Sequence, residues 1–310
     1  MIILVTGGYG FIGSHIVEKL IKQGHHVRIL DNLSTGKVTN VNKHKNKKVD
    51  RKIQFIKGDI CDIDICREAI KGCDAVCHLA ADISVSKSVE DPVSCHNANV
   101  NGFFNVLNVA RENNIKRVVF SSTSAIYGDN TDTSKTELST GRMLSPYALS
   151  KNMNEMYARL FTDIYDMECI GLRYFNVYGQ RQNQEGGYAA VIPTFVKLLK
   201  NNERPVIYGD GSFVRDFVYI DDVVDANILA LTTQEKDCFG EIYNIGSGIG
   251  TSICDLVKNI NTVLGKKIEP IFKQERLGDV KHSIANVKKA KKHLGYIPRY
   301  NLVSGLREML

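Results

Sequence analysis

A β-branched run that turns through three spaced glycines into a helix, and returns as a second strand ending on an acid, constrains this chain more than any other feature. Ile2-Ile3-Leu4-Val5-Thr6 is the apolar run of a strand buried on both faces, and Gly7-Gly8-Tyr9-Gly10-Phe11-Ile12-Gly13 leads into a helix reaching about Gln23. Gly7 permits the tight turn, Gly10 lets backbone approach a pyrophosphate, and Gly13 lets the helix pack closely on the strand. The helix N-terminus then offers free N–H groups to phosphate. After Gly24 the strand Val27-Arg28-Ile29-Leu30 ends at Asp31. An acid there accepts hydrogen bonds from adenosine ribose hydroxyls and repels a 2′-phosphate, which favours NAD over NADP. A glycine pattern alone is weak, but between a strand and a helix, with the acid in place, it is a strong signal for a dinucleotide site.

The remaining composition fits a globular enzyme-sized chain. At 310 residues, 43% hydrophobic and 24% charged, it is long enough for a large core or two domains. No apolar run approaches the ~18 residues of a membrane span, and a strand beginning at Ile2 leaves no room for a signal peptide, so a cytoplasmic protein with no membrane association is expected. Eight cysteines at 61, 66, 73, 77, 95, 169, 238 and 254 show no paired metal spacing, and they read as reduced, mostly buried thiols with no metal. The net charge of +6 comes from the stretch 37–52, with seven Lys/Arg and one acid. It lacks aromatics and periodicity and joins the second and third strands, so it reads as a solvated loop rather than a nucleic-acid patch. Removing Val38–Asp50 is therefore expected to leave activity nearly unchanged.

Strands and helices alternate without an internal repeat. Strands are expected at Ile53–Ile56, Ala75–His78, Arg117–Ser121 and Cys169–Tyr174, and helices at Asp62–Lys71, Ser94–Asn113 and Pro146–Asp166. That is an α/β fold, a Rossmann-like doubly wound parallel sheet over residues 1–176. Residues 177–310 read as a smaller C-terminal α/β substrate-binding lobe, with about 214–246 partly returning to the first domain. Its expected elements are helices at Ala189–Lys200, Val223–Leu231 and Ser252–Leu264 and a strand at Ile242–Ile245. Thr6, Asp31, Asp59, Leu79 to Ala81 and Ser121 to Thr123 then rim one crevice at the carboxyl ends of the strands.

A second constellation is Ser145-Pro146-Tyr147-Ala148-Leu149-Ser150-Lys151. Ser145 suits an N-cap and Pro146 a first helical residue, so Tyr147 and Lys151 lie one turn apart on one helix face. Thirteen tyrosines would give such a pair about once by chance, so context decides. A free phenol titrates near 10. A neighbouring ammonium and a positive nicotinamide ring favour the phenolate, and the expectation is a Tyr147 drawn toward the near-neutral range that a general base needs. Thr123, ending the preceding strand, is placed to share the substrate proton, unless it merely bonds backbone.

Gly7–Gly13, Asp31-Asn32-Leu33-Ser34-Thr35-Gly36, Gly58-Asp59, His78-Leu79-Ala80-Ala81, Asn99-Val100-Asn101-Gly102, Ser121-Ser122-Thr123, Tyr147/Lys151 and Leu172-Arg173-Tyr174-Phe175-Asn176-Val177-Tyr178-Gly179 together resemble the extended short-chain dehydrogenase/reductase family, and most its UDP-sugar 4-epimerases. The resemblance continues through Tyr208-Gly209-Asp210-Gly211, Arg215-Asp216-Phe217 and Arg276-Leu277-Gly278-Asp279. It implies that Gly7, Gly10, Phe11, Ile12 and Gly13 meet the NAD pyrophosphate, and that Asp31 and Asn32, with Ser34, Thr35 and Gly36, meet the adenosine ribose. Asp59 and Ile60 would flank adenine. Leu79, Ala80, Ala81, Asn99, Ser121 and Tyr174 would line the cofactor, with Tyr147 and Lys151 at the nicotinamide end. Thr123, Tyr147, Ala190, Val191 and Tyr208 would belong to the substrate side, Asn176, Arg215 and Arg276 would hold a nucleotide diphosphate, and Asp279 a uridine ribose. Arginine suits a diphosphate because its planar fork bonds two oxygens at once; a surface salt bridge is the alternative for Arg215 and Arg276.

The implied chemistry is oxidation of a sugar at C4, rotation of the resulting ketone, and return of the hydride to its other face, with Tyr147 managing the proton. Relatives resembling 4,6-dehydratases or decarboxylases carry carboxylates after the threonine, where this chain has Ser124 and Ala125. A glucuronate 4-epimerase stays open, as does a non-catalytic NAD-sensing module. In the family the position held here by Ser283 lies beside the sugar's 2-substituent, and a small residue there goes with N-acetylated sugars; UDP-N-acetylglucosamine and UDP-N-acetylgalactosamine are the expected pair, with UDP-glucose and UDP-galactose beside them. The helix face carrying Met153, Met156, Tyr157, Leu160, Phe161 and Ile164 is expected partly to cover the sheet and partly to pair with a second copy as a homodimer.

Overall fold

Three residues of the first strand set the layering. Ile3, Leu4 and Val5 of β1 (Ile2–Thr6) are fully buried, Ile3 and Val5 in one group of core side chains and Leu4 in another. Successive side chains on a strand point to opposite faces, so β1 runs between two cores. The computed structural model describes residues 1–41, 52–183, 190–275 and 280–310. Beside β1 lie β2 (His26–Asp31), β3 (Ile53–Lys57), β4 (Ala75–His78), β5 (Arg117–Thr123), β6 (Glu168–Tyr174) and β7 (Glu241–Ile245), all parallel, in the order β3-β2-β1-β4-β5-β6-β7. Strand order reverses at β1 and β4, which is where a doubly wound sheet opens a ligand crevice.

Helices cover both faces. α1 (Phe11–Lys22) contributes Ile16, Val17 and Leu20 to the core on the Ile3/Val5 side, where α5 (Ile220–Thr232) also packs. α2 (Ile63–Ile70), α3 (Gly102–Glu112) and α4 (Pro146–Tyr165) close the Leu4 side. The single helix expected over Ser94–Asn113 is broken into Pro92–His96, a widened π-type turn at Asn97–Asn101, and α3. The wide turn lets Asn99 point inward, and Gly102 lies so close to Ile60 that a Cβ would stand 2.6 Å from its Cδ1.

The C-terminal elements build a second, smaller sheet from Val214–Tyr219, Gly250–Ser252, His282–Ala285 and the two-residue strand Ser134–Lys135, with Asn176–Tyr178 pairing alongside Val214–Tyr219. Val206–Tyr208 and Ile271–Lys273 form a separate ribbon, and helices Val191–Lys200, Ile253–Leu264, Lys288–Leu294 and Leu302–Met309 pack around them. No helix among the described residues is long and apolar enough to cross a membrane. The cysteines are free; six are buried, and burial pushes the thiols of Cys66, Cys77 and Cys169 up to about 12, leaving them unreactive.

The apolar stripe of α4 divides between core and surface, and the basic connection departs from a plain solvated loop. On α4 the inward face is Ala148, Ser150, Lys151, Asn154, Glu155 and Ala158, and of the expected apolar stripe only Phe161 is buried; Met156 (65% exposed), Leu160 and Ile164 face outward. The basic connection also begins differently. Lys37 N–H and Asn40 Nδ2 donate to the carbonyl of Tyr9 at 3.1 and 2.8 Å, and Val41 is buried in the core with Val38 against it. Residues 42–51 lie outside the described residues. Excision of Val38–Asp50 is expected to cost about 1.5–3 kcal/mol of stability for the buried valine alone, read by denaturant unfolding.

Candidate active site

The glycine turn is tight enough to be exclusive. Gly7 has φ +67°, and a Cβ on it would stand 2.9 Å from the amide nitrogen of Ala80; one on Gly13 would stand 2.2 Å from the carbonyl oxygen of Gly7. Gly10 caps α1 with no side-chain hydrogen bond, and its own N–H donates to Gly7 at 3.0 Å. The first turn of α1 keeps its backbone donors for a ligand. Thr6, buried at the end of β1, takes the N–H groups of Leu79 and Ala80 on its Oγ1 at 3.1 and 3.2 Å and meets His78 Nδ1 at 3.0 Å, so the loop beyond β4 is drawn against the glycine turn.

Asp31, the acid expected at an adenosine ribose, closes the far side of the glycine turn. Its Oδ2 accepts from Tyr9 N–H at 2.9 Å and its Oδ1 from Leu33 N–H at 2.8 Å, so the carboxylate is fixed by backbone while lone pairs remain for further donors. Gly36 passes directly over it, since a Cβ there would stand 3.0 Å from Oδ2. Asn32 donates to Asp59 at 2.9 Å, and Ser34 N–H returns to Asn32 Oδ1; Ser34 and Thr35 are exposed. Burial works to raise the Asp59 carboxyl, and the bonds from Cys61 N–H and Asn32 outweigh it, holding it below the usual range. Ile60 points instead into the core against Gly102. Asn99 is saturated within the protein, with Oδ1 accepting from Asp82 N–H and Nδ2 donating to Asp82 O and Ser150 Oγ, so it fixes the Ala81–Asp82 loop to α4. The Tyr174 hydroxyl likewise turns inward, to Asn227 at 2.9 Å.

Tyr147, Lys151 and Thr123 meet at the carboxyl end of β5. Ser145 caps α4 through Ala148 N–H, and Ser88 Oγ accepts from Tyr147 N–H at 3.1 Å, which sets the helix start. Lys151 is buried and donates to Ser121 O at 2.9 Å and Ser121 Oγ at 3.3 Å. Thr123 makes the backbone bond weighed for it, its Oγ1 accepting from Ala125 N–H at 3.1 Å, and it stands near enough to the Tyr147 phenol to oppose the rise that burial causes there. The electrostatics run against the expected activation. Burial pushes the Tyr147 phenol up to about 12, partly offset by Thr123, and draws Lys151 down to about 8. Both groups lose water on folding, and each retreats toward its neutral form. His78, fully buried beside Lys151, is drawn to about 3 by burial and by that ammonium, and stays neutral.

On the other wall the register collects three expected residues. Arg215 stands opposite Ser283, and Phe217, two residues on, stands opposite Asn176. Arg215 donates to Val280 O at 2.6 Å, and Asn176 donates to Asp216 O at 3.1 Å. Asp216 is fully buried and binds Ser247, Gly248 and Ala285 amides, locking the strands beneath. Tyr208 is partly exposed on its ribbon, Ala190 is exposed and Val191 begins its helix. Arg276 and Asp279 lie outside the described residues. No group of His, Cys, Asp or Glu among the described residues is arranged to hold a metal ion.

Residues 3–246 match the family described as NAD dependent epimerase/dehydratase. The chain belongs to that family. Among members, a putative UDP-glucose 4-epimerase of Methanocaldococcus jannaschii is 41% identical over 310 residues, covering 99% of this chain and 97% of its own. The crystal structure of a Thermotoga maritima UDP-glucose 4-epimerase with UDP-glucose aligns at TM-score 0.92 and 40% identity, covering 100% of this chain and 97% of that one. A Methanobrevibacter ruminantium UDP-N-acetylglucosamine 4-epimerase in complex with UDP-N-acetylmuramic acid aligns at TM-score 0.92 and 38% identity, covering 99% and 96%. The cofactor in the NAD dependent epimerase/dehydratase description fits this chain's own features: a glycine cradle that Cβ atoms would fill, free donors at the start of α1, and an acid fixed at the end of β2. Sequence reasoning passed over Ser88, Glu155 and Arg173. Glu155 was legible as the next inward position after Tyr147 and Lys151 at helical spacing, and Arg173 as a charge inside an otherwise apolar strand.

Proposed function

We propose that the chain is an NAD-dependent UDP-sugar 4-epimerase that accepts the N-acetylated pair, UDP-N-acetylglucosamine and UDP-N-acetylgalactosamine, with UDP-glucose and UDP-galactose beside them. The observation that carries the catalytic reading is the Thr123–Tyr147 contact and the Lys151–Ser121 anchor at the mouth of the crevice. Residues 1–176, with 214–246, form the NAD-binding part and 177–310 the substrate-binding part in this reading.

The protein's side of the reaction follows from those groups. Tyr147 removes the proton from the sugar 4-hydroxyl and later gives it back, and Thr123 holds the phenol oxygen in line. When bound, NAD supplies a hydride acceptor for C4 and a positive ring beside the phenol. Burial alone keeps Tyr147 protonated, so the ammonium of Lys151 must remain charged to favour the phenolate. Its value of about 8 gives a sign: turnover is expected to fall as pH rises through about 8, read from a kcat–pH profile. Asn176 and Arg215, with Arg276, would bond the diphosphate.

Ser283 supports the sugar preference, standing opposite Arg215 with a small hydroxyl where a tyrosine would fill space. The naming of several relatives as UDP-glucose 4-epimerases favours, as a second reading, plain hexoses alone. Offering the purified protein each nucleotide sugar without added NAD and identifying products separates them. Ser283→Tyr is expected to abolish turnover of the N-acetylated pair and spare the plain hexoses. Equal loss on both pairs, or no N-acetylated product from the unaltered protein, would sink the preference. The outward stripe of Leu149, Met156, Leu160 and Ile164, with Phe104 of α3, supports a homodimer through α3 and α4, to be checked by sedimentation.

A further inference from the structure

We infer that Glu155 and Arg173 are positioning residues for the reaction, a buried ion pair that holds Lys151 and Thr123 in place from behind the crevice. The inference rests on the reading of Tyr147, Lys151 and Thr123 as the reacting groups. Arg173 Nε and Nη2 bond the two oxygens of Glu155 at 2.8 and 2.7 Å, a bidentate fork with both side chains almost fully buried. Ser122, opposite Arg173 in the sheet register, donates its hydroxyl to Glu155 at 2.5 Å. Arg173 Nη1 also donates to the Tyr127 hydroxyl at 3.1 Å, and that hydroxyl donates to Asn244 at 2.6 Å.

The placement gives the pair a task. Glu155 is one helical turn beyond Lys151, and the two are fastened to consecutive residues of β5: Lys151 to Ser121, Glu155 to Ser122. Rotation or slip of α4 is thereby blocked at the point where its lysine must reach the crevice. Thr123 comes next on β5, and the short turn Ser124–Tyr127 that it caps ends on the tyrosine held by Arg173. One fork thus fixes the helix bearing Tyr147 and Lys151 and the segment bearing Thr123. A buried ion pair is weak evidence for stability, because apolar residues of similar size commonly serve as well. Its position between the two reacting segments is what an apolar pair would not explain.

Charge is the second contribution. The groups facing Lys151 are Cys95 from the helix Pro92–His96, neutral His78 from β4, and Glu155 on its own helix; Asp82 acts on Cys95 and on Tyr147 one turn before Lys151, and Arg173 of β6 on Glu155. Burial lowers the Lys151 ammonium, and Cys95 and Glu155 oppose that fall.

Glu155→Gln removes the opposing charge and leaves Arg173 positive, so the alkaline limb of kcat is expected to move to lower pH by about one unit, where one unit is tenfold in proton affinity. Arg173→Lys keeps the charge and loses the fork, and is expected to lower kcat about tenfold with KM and the limb unmoved. If Glu155→Gln does not fold, Glu155→Gln/Arg173→Gln removes both charges, and a limb in its original place with kcat down tenfold or more is then expected. A limb unmoved in folded Glu155→Gln, or kcat unchanged in Arg173→Lys or in the double variant, overturns the inference. Tyr147→Phe run in parallel separates the two readings: full turnover there removes the catalytic assignment itself, whereas turnover lost there but indifferent to Glu155 and Arg173 removes only this one.

Discussion

Tyr147→Phe is expected to lower turnover by about 10²–10⁴-fold while the protein folds and keeps its dinucleotide, the range a positioned general base is typically worth. The substitution deletes one oxygen. The Ser88 bond to the backbone N–H of residue 147 and the Ser145 cap of α4 remain, so the helix start is untouched. Neither the glycine turn nor the Asp31 bonds involve the phenol. Melting temperature and dinucleotide released on denaturation check the first half, and product formation checks the second. Near-normal turnover would remove Tyr147 from the mechanism.

Gly13→Ala is expected to yield protein that purifies without dinucleotide and turns over only with NAD added in large excess. Its new Cβ would lie 2.2 Å from Gly7 O and 2.8 Å from Gly8 Cα, both backbone, so α1 must back away from the glycine turn. Forcing a methyl group into such a contact costs about 1–3 kcal/mol in stability. Gly10→Ala is the graded comparison, since its Cβ would stand 3.1 Å from Gly7 O, with no contact under 3 Å. Equal dinucleotide content in the Gly13 variant and the unaltered protein would show that the close approach does not shape the cofactor site.

These two sites were legible because their logic is local. A glycine spaced by three residues, an acid at the next strand's end, and a tyrosine one helical turn before a lysine all act within a few residues of one another, and periodicity reaches that far. The Glu155–Arg173 pair joins α4 to β6, and the Ser122 bond joins α4 to β5; such meetings depend on strand register, which no window of sequence displays. At α4 the apolar stripe splits, with Phe161 in the core and Met156, Leu160 and Ile164 outward. Polarity misled at Val41, an apolar residue in a basic stretch that the core nevertheless takes up. The direction of the tyrosine shift was missed for a related reason: the phenol is itself stripped of water, as is the lysine expected to activate it.

The strand Ser134–Lys135, from the first half of the chain, lies beside His282–Ala285 in the second sheet, while β7, from the second half, supplies the last strand of the first. Each half thus lends the other an edge. Cut between residues 176 and 177, either fragment would present unpaired strand backbone to its neighbours, an invitation to aggregate. A fold of this kind is not modular in the engineering sense: the second half of the chain cannot be grafted onto a foreign first half without also moving two residues that sit more than a hundred positions away from the strand they complete.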